Sequence, residues 1–80
     1  MTPDELKRRA KSFAVNIVKF ARTLPTDAAT QILTRQLVKS GTSVAANYRA
    51  VCRARSQAEF IAKMGVVVEE MDETIFWIEL

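Results

Sequence analysis

Apolar side chains recur at alternating spacings of three and four residues along three long segments of this chain, which predicts three α-helices. The predicted helices span about residues 3–24, 28–52 and 57–80. Only two glycines and two prolines occur among the 80 residues, so the chain has few places to turn. The sequence therefore predicts one all-α domain over residues 1–80, folded as an antiparallel up-down helical bundle.

Local signals mark where each helix begins. Residues 2–5, Thr-Pro-Asp-Glu, supply a capping hydroxyl, a proline at the first helical position and a glutamate at the third. Residues 24–27, Leu-Pro-Thr-Asp, end the first helix and cap the second. Residues 56–59, Ser-Gln-Ala-Glu, form a second capping box at the start of the third helix.

Gly41 lies between hydroxyl residues in the middle of the second predicted helix. A glycine there either breaks the helix or allows a close contact with another helix. We expect the close contact, because the helical pattern resumes at Val44.

The third predicted helix is apolar around much of its circumference. Val66, Phe76 and Trp77 lie outside its main stripe, which consists of Ile61, Met64, Val68, Met71, Ile75 and Ile78. Such a helix is expected to pack on several sides. The sequence stops in full helical register at Leu80, so we expect a fourth helix to be missing or supplied by another chain.

Charge is divided unevenly along the chain. Residues 1–55 hold eleven Lys or Arg against three acids, a net of +8, whereas residues 56–80 hold one Lys against six acids, a net of −5. A basic front and an acidic back indicate either a nucleic-acid surface or neighbouring faces that neutralise each other. One basic group lies at residues 7–11, and the candidate phosphate contacts are Arg35, Lys39, Arg49, Arg53 and Arg55.

A polar stripe follows one side of the second predicted helix. Its members are separated by four, three and four residues, and they are Gln36, Ser40, Ser43 and Asn47. The stripe is either a hydrogen-bonded seam that fixes the register of neighbouring helices or a contact for a ligand or nucleic acid.

The residues that most enzymes need are scarce. The chain has no histidine, and Cys52, its one cysteine, has no histidine partner and no zinc-ligand spacing. Its two glycines are too far apart for a phosphate-binding loop. We expect a protein that is not an enzyme and has no catalytic, metal or cofactor site. Neither a membrane span nor a secretory signal is recognisable, and a single cysteine fits the cytoplasm.

The middle and the end of the chain resemble a known family. Residues 36–49, QLVKSGTSVAANYR, are similar to the signature of the small four helix bundle proteins, also called 23S rRNA-intervening sequence proteins. Residues 54–64 follow that family's A-x-S-x-x-(D/E)-F-x-x-K block, and residues 70–78 its E-x-x-E-T-x-x-W-L ending, although Ala45 replaces the family's usual glycine.

The resemblance implies a four-helix protomer that assembles into a homopentamer without enzymatic activity. It also points to a related branch, the accessory variability determinants of diversity-generating retroelements. In that branch a basic pentamer binds nucleic acid and a reverse transcriptase. RNA or DNA and, for that branch, a reverse transcriptase are therefore the implied partners. The function expected is non-catalytic binding of nucleic acid through a basic face, and the alternative is a structural or protein-adaptor module that binds no nucleic acid.

Overall fold

The computed structural model describes residues 1–80 and is entirely helical. Helix α1 spans Pro3–Ala21, α2 spans Ala28–Val51 and α3 spans Gln57–Glu79. The all-α prediction is confirmed. The prediction that α1 reaches residue 24 is wrong. After Ala21 the chain forms a tight turn that ends before Pro25. A residue that precedes proline avoids the helical conformation, so the helix cannot continue to this point.

Each helix begins at the residue that the sequence predicts. The Thr2 hydroxyl accepts a hydrogen bond from the backbone amide of Glu5 at 3.1 Å, and the Ser56 hydroxyl accepts one from the backbone amide of Glu59 at 3.1 Å. The Asp27 carboxylate accepts the Thr30 amide at 3.0 Å, and this hydrogen bond lowers the pKa of Asp27 below its usual 3.8. These side chains satisfy amides that have no partner inside the helix, so the caps fix where the helices start.

Helix α2 runs without interruption through Gly41 and packs closely against α1. A β-carbon placed on Gly41 would lie 2.8 Å from Cγ2 of Ile17, which is a buried residue of α1. The predicted close contact is confirmed. Because glycine has no β-carbon, the two helix axes can approach at this level.

A buried pair of hydroxyl groups joins α2 to α3. The Thr74 hydroxyl, which is fully buried, donates to Ser40 Oγ at 3.0 Å, and the Ser40 hydroxyl donates to the Leu37 carbonyl at 3.3 Å. The remaining core side chains on α2 are apolar or aromatic, namely Leu37, Val44, Ala45, Tyr48 and Val51. This hydrogen bond links the two helices at one defined level, in addition to their apolar packing.

Helix α2 is the central element, since it contacts both other helices while α1 and α3 do not contact each other. The side of α2 between them is left open. One cavity there is lined by Phe20 of α1, Ile78 of α3, and Leu33 and Leu37 of α2. Phe20 is 48% exposed and Ile78 is 53% exposed. Within this single chain α3 packs only on α2, so the packing of α3 on further sides, by another helix or another chain, stays a prediction. Residues 1–80 form three helices, and the fourth helix implied by the resemblance is not among them.

Candidate nucleic-acid interface

A shallow groove follows the outer side of the α1–α2 pair from one end to the other, and we call it the α1/α2 groove. Three adjoining concavities form it. Lys11 belongs to two of them and Arg22 to two, so they are continuous. Every titratable side chain that lines the groove is basic, and these are Lys7, Arg8, Lys11, Lys19, Arg22, Arg35 and Arg49. The charged side chains along the groove are therefore all positive, and no acidic side chain lines it.

The cations of this groove form no salt bridge within the chain, although Glu5 lines a neighbouring concavity together with Arg8. The structure contains one salt bridge, between Lys63 and Glu59 within α3, at 3.4 Å. None of the groove cations has a carboxylate within salt-bridge distance, and the acidic residues of α3 lie on the helix that does not contact α1. The acidic residues of α3 therefore do not pair with the basic face within one chain, whereas neutralisation by a neighbouring chain stays a prediction.

The structure brings together some of the predicted phosphate contacts. Arg35 and Arg49 line opposite ends of the α1/α2 groove, and Lys39, one turn after Arg35, is exposed on the same outward side of α2. Arg53 follows the end of α2 and is exposed. Arg55 lies apart, in the connection to α3, where its amide donates to the Glu59 carboxylate at 3.4 Å.

The cations that α1 contributes at its far end were not among the predicted contacts. Lys19 and Arg22 line the groove beside Thr42 of α2. The sequence does carry a signal for them, since Lys11, Lys19 and Arg22 fall on one side of a helix at its usual periodicity. The sequence does not show the register that places this side of α1 beside the basic side of α2.

The four members of the polar stripe have different surroundings. Ser40 is buried and hydrogen-bonds to α3, as described above. Asn47 is half-buried and its side-chain amide donates to the Ser43 carbonyl at 2.8 Å within α2, while Gln36 is exposed. Ser40 is thus the member that joins two helices, and the stripe lies outside the α1/α2 groove.

Three further features of the surface bear on metal ligands, on the cysteine and on membrane spans. No group of three or more potential metal-ligating side chains comes together. Cys52 is exposed beside Tyr48, and burial raises the pKa of the Tyr48 phenol, which stays neutral at physiological pH. None of the three helices combines the length and the hydropathy that a bilayer crossing requires.

Comparison with known proteins agrees with this architecture. Residues 4–80 match the family model described as 23S rRNA-intervening sequence protein. A crystal structure of a protein of unknown function from the S23 ribosomal protein family of Bacteroides thetaiotaomicron VPI-5482 is 34% identical, with a TM-score of 0.88. The match covers 99% of this chain and 70% of that one. No curated protein is significantly similar to the chain.

Proposed function

The chain belongs to the 23S rRNA-intervening sequence protein family, and we propose that it acts as a non-catalytic protein that binds nucleic acid through the α1/α2 groove. The observation that carries this proposal is a groove lined by basic side chains, none of which is paired with a carboxylate. Phosphate groups are the ligands that such a surface selects, because they replace the missing counter-charge and release condensed cations from the nucleic acid.

The groove contacts the backbone of a nucleic acid and does not read its bases. Between its cations the α1 side and the Ala46 side of the groove consist of small or apolar side chains, including Ala14, Val18 and Ala46, which offer no donor or acceptor to a base edge. The uncharged polar side chains of the groove are Thr26, Gln31, Thr34 and Thr42. Binding is therefore independent of sequence. The close approach of α1 and α2 at Gly41 supports this function, since it keeps the two rows of cations on one continuous surface.

Fluorescence anisotropy with two labelled RNAs of equal length and unrelated sequence tests the proposal. We expect both RNAs to bind equally, and the double variant Lys11→Gln/Arg49→Gln to bind each about tenfold more weakly, since both residues line one concavity. The matched control, Arg9→Gln/Lys63→Gln, removes the same charge outside the α1/α2 groove and should retain wild-type affinity. Equal losses in the two double variants would show that net charge alone drives binding.

A second candidate function is a structural assembly module, and two features favour it: the open apolar cavity between α1 and α3 and the exposed apolar side chains of α3. Val68 is 63% exposed and Ile75 is 48% exposed on the helix stripe that also carries Ile78. Monomeric proteins rarely leave a continuous apolar face of this kind in water. We propose that a second copy of this chain covers it, as expected for a homo-oligomer, whereas the pentameric ring and a reverse transcriptase partner stay predictions from the resemblance.

Light scattering separates the two functions. A mass of several subunits that does not change between low and high salt supports self-association through apolar contacts. An oligomer that binds no RNA would favour the assembly module alone. A monomer would indicate that this face takes a helix from elsewhere in a longer protein. With its single exposed Cys52, the protein fits a reducing compartment, and we propose that it works in the cytoplasm.

A further inference from the structure

We propose that the ligand of the α1/α2 groove is a double-stranded nucleic acid, whose two backbones are held by two separate clusters of cations. This inference rests on the proposed function and specifies the form of the nucleic acid. It depends on how the cations are distributed along the groove, which is uneven.

The cations lie in two clusters, one at each end. The first cluster occupies the start of α1 and the end of α2 and consists of Lys7, Arg8, Lys11 and Arg49. The second cluster occupies the end of α1 and the first half of α2 and consists of Lys19, Arg22, Arg35 and Lys39. Both helices contribute to each cluster because they pack side by side, with the start of α1 beside the end of α2, so each cluster is a compact patch and not a single row.

A neutral gap separates the clusters. On α1, Lys11 and Lys19 are eight residues apart, which is about 12 Å along a helix. On α2, Lys39 and Arg49 are ten residues apart, or about 15 Å. The gap is lined by Ala14, Val15, Val18, Thr42 and Ala46, none of which is charged. Both helices are continuous through it, so the spacing of the clusters is rigid.

This spacing fits the two phosphate backbones on either side of one groove of a duplex. The major groove of B-form DNA is about 12 Å wide. The minor groove of an A-form RNA duplex is wide and shallow and is recognised through its backbone. In either case the charged backbones flank a groove, and the neutral middle of the protein surface faces the groove itself.

A single strand suits the surface less well. Proteins that bind single strands interleave cations with aromatic side chains, on which the bases stack. No aromatic residue lines any of the three concavities of the α1/α2 groove. A single strand laid along it would also cross the neutral gap, where its phosphates meet no cation.

The test measures anisotropy over a series of salt concentrations with four labelled probes of equal length: an RNA duplex, a DNA duplex and the single strand of each. We expect a duplex to bind at least tenfold more tightly than its own single strand. Neutralising one cluster, in Lys11→Gln/Arg49→Gln or in Lys19→Gln/Arg22→Gln, should weaken duplex binding about tenfold. It should also reduce the slope of log affinity against log salt by about two, since each phosphate contact contributes about 0.9.

A cation added in the gap distinguishes a duplex that bridges the two clusters from a single strand that runs along the groove. Val15 is 43% exposed there, so Val15→Lys is tolerated. A strand that follows the groove gains a phosphate contact in this variant, and its salt slope steepens by about one. A steeper slope with the duplex, or single strands that bind as tightly as duplexes, would overturn this inference and leave the proposed function intact. Failure of all four probes to bind would refute the proposed function itself.

Discussion

Gly41 determines how closely α1 and α2 approach, and so whether their basic sides form one surface. Its missing β-carbon leaves room for Ile17, which would otherwise lie at 2.8 Å. Gly65 is the second glycine of the chain and lies in the middle of α3, but a β-carbon added there would contact nothing within 4 Å. The two glycines therefore form a matched pair, in which the same substitution has opposite expected effects.

We predict that Gly41→Ala destabilises the protein by about 1 kcal/mol. The forced displacement of Ile17 costs about 1–3 kcal/mol, which exceeds the gain of about 1 kcal/mol from the higher helix propensity of alanine. Gly65→Ala gains helix propensity without a clash and should stabilise by about 0.5–1 kcal/mol. Urea unfolding followed by circular dichroism measures both. Equal stabilisation by the two substitutions would contradict the close contact between α1 and α2.

Asp27 makes the stability of the folded protein depend on pH in the acid range. Its pKa in the folded state lies below 3.8 because its carboxylate accepts hydrogen bonds from Thr30. The folded state therefore releases this proton more readily than the unfolded state. The stabilisation by Asp27 is complete above the unfolded pKa and is lost as the pH falls through the lower folded pKa.

We predict that the difference in unfolding free energy between wild type and Asp27→Asn changes with pH. Asparagine caps a helix without titrating in this range. The advantage of the wild type should be constant near neutral pH and should shrink below pH 3.8, as urea unfolding at a series of pH values would show. A difference that stays constant down to pH 2 would contradict the role of this carboxylate.

At the scale of the helices, the Ser40–Thr74 hydrogen bond is the specific link between α2 and α3. Each hydroxyl keeps a second contact with a carbonyl oxygen of its own helix: Ser40 with Leu37 and Thr74 with Glu70. Removing one hydroxyl therefore leaves the other partly satisfied. The loss should be about 1 kcal/mol for Ser40→Ala or Thr74→Val, as for an ordinary buried hydrogen bond.

The double variant Ser40→Ala/Thr74→Val should cost less than the sum of the two single variants, because the two residues share one interaction. A double-mutant cycle of unfolding free energies measures this coupling. Gln36→Ala on the exposed side of the polar stripe is the control and should change stability little. Strict additivity of Ser40 and Thr74 would show that the hydrogen bond contributes nothing to register.

The helix starts were predictable because each depends on a few adjacent residues, such as Ser56 and Glu59. The end of α1 was harder to predict, since the apolar periodicity continues through Leu24 although the turn before Pro25 has already begun. The basic side of α2 could also be found from spacing alone. Its alignment with Lys19 and Arg22 could not, because that register is fixed by the packing of Gly41 on Ile17, residues of two different helices.

At the scale of the whole molecule, two faces of opposite character lie on α2. The α1/α2 groove is basic and the face between α1 and α3 is apolar and open. The division arises because α1 and α3 each contact only α2. The two faces thus allow separate functions, one for phosphate and one for another protein surface.

We predict that Val68→Glu lowers the mass measured by light scattering without unfolding the chain. Val68 is 63% exposed in a single chain, so a charge there is tolerated by the fold but not by an apolar subunit contact. Ala62→Glu, on another side of α3, is the matched control and should leave the mass unchanged. A reduced mass in both variants, or in neither, would contradict self-association through the open face.

The salt dependence of RNA binding by the unaltered chain tests the central claim most directly. Two unpaired basic clusters that contact phosphate predict a straight line of log affinity against log salt, with a slope of about −4.5 or steeper if at least five cations contact phosphate. The same slope should appear with RNAs of unrelated sequence. A slope near zero, or the absence of binding at low salt, would contradict the assignment of the α1/α2 groove as a nucleic-acid interface.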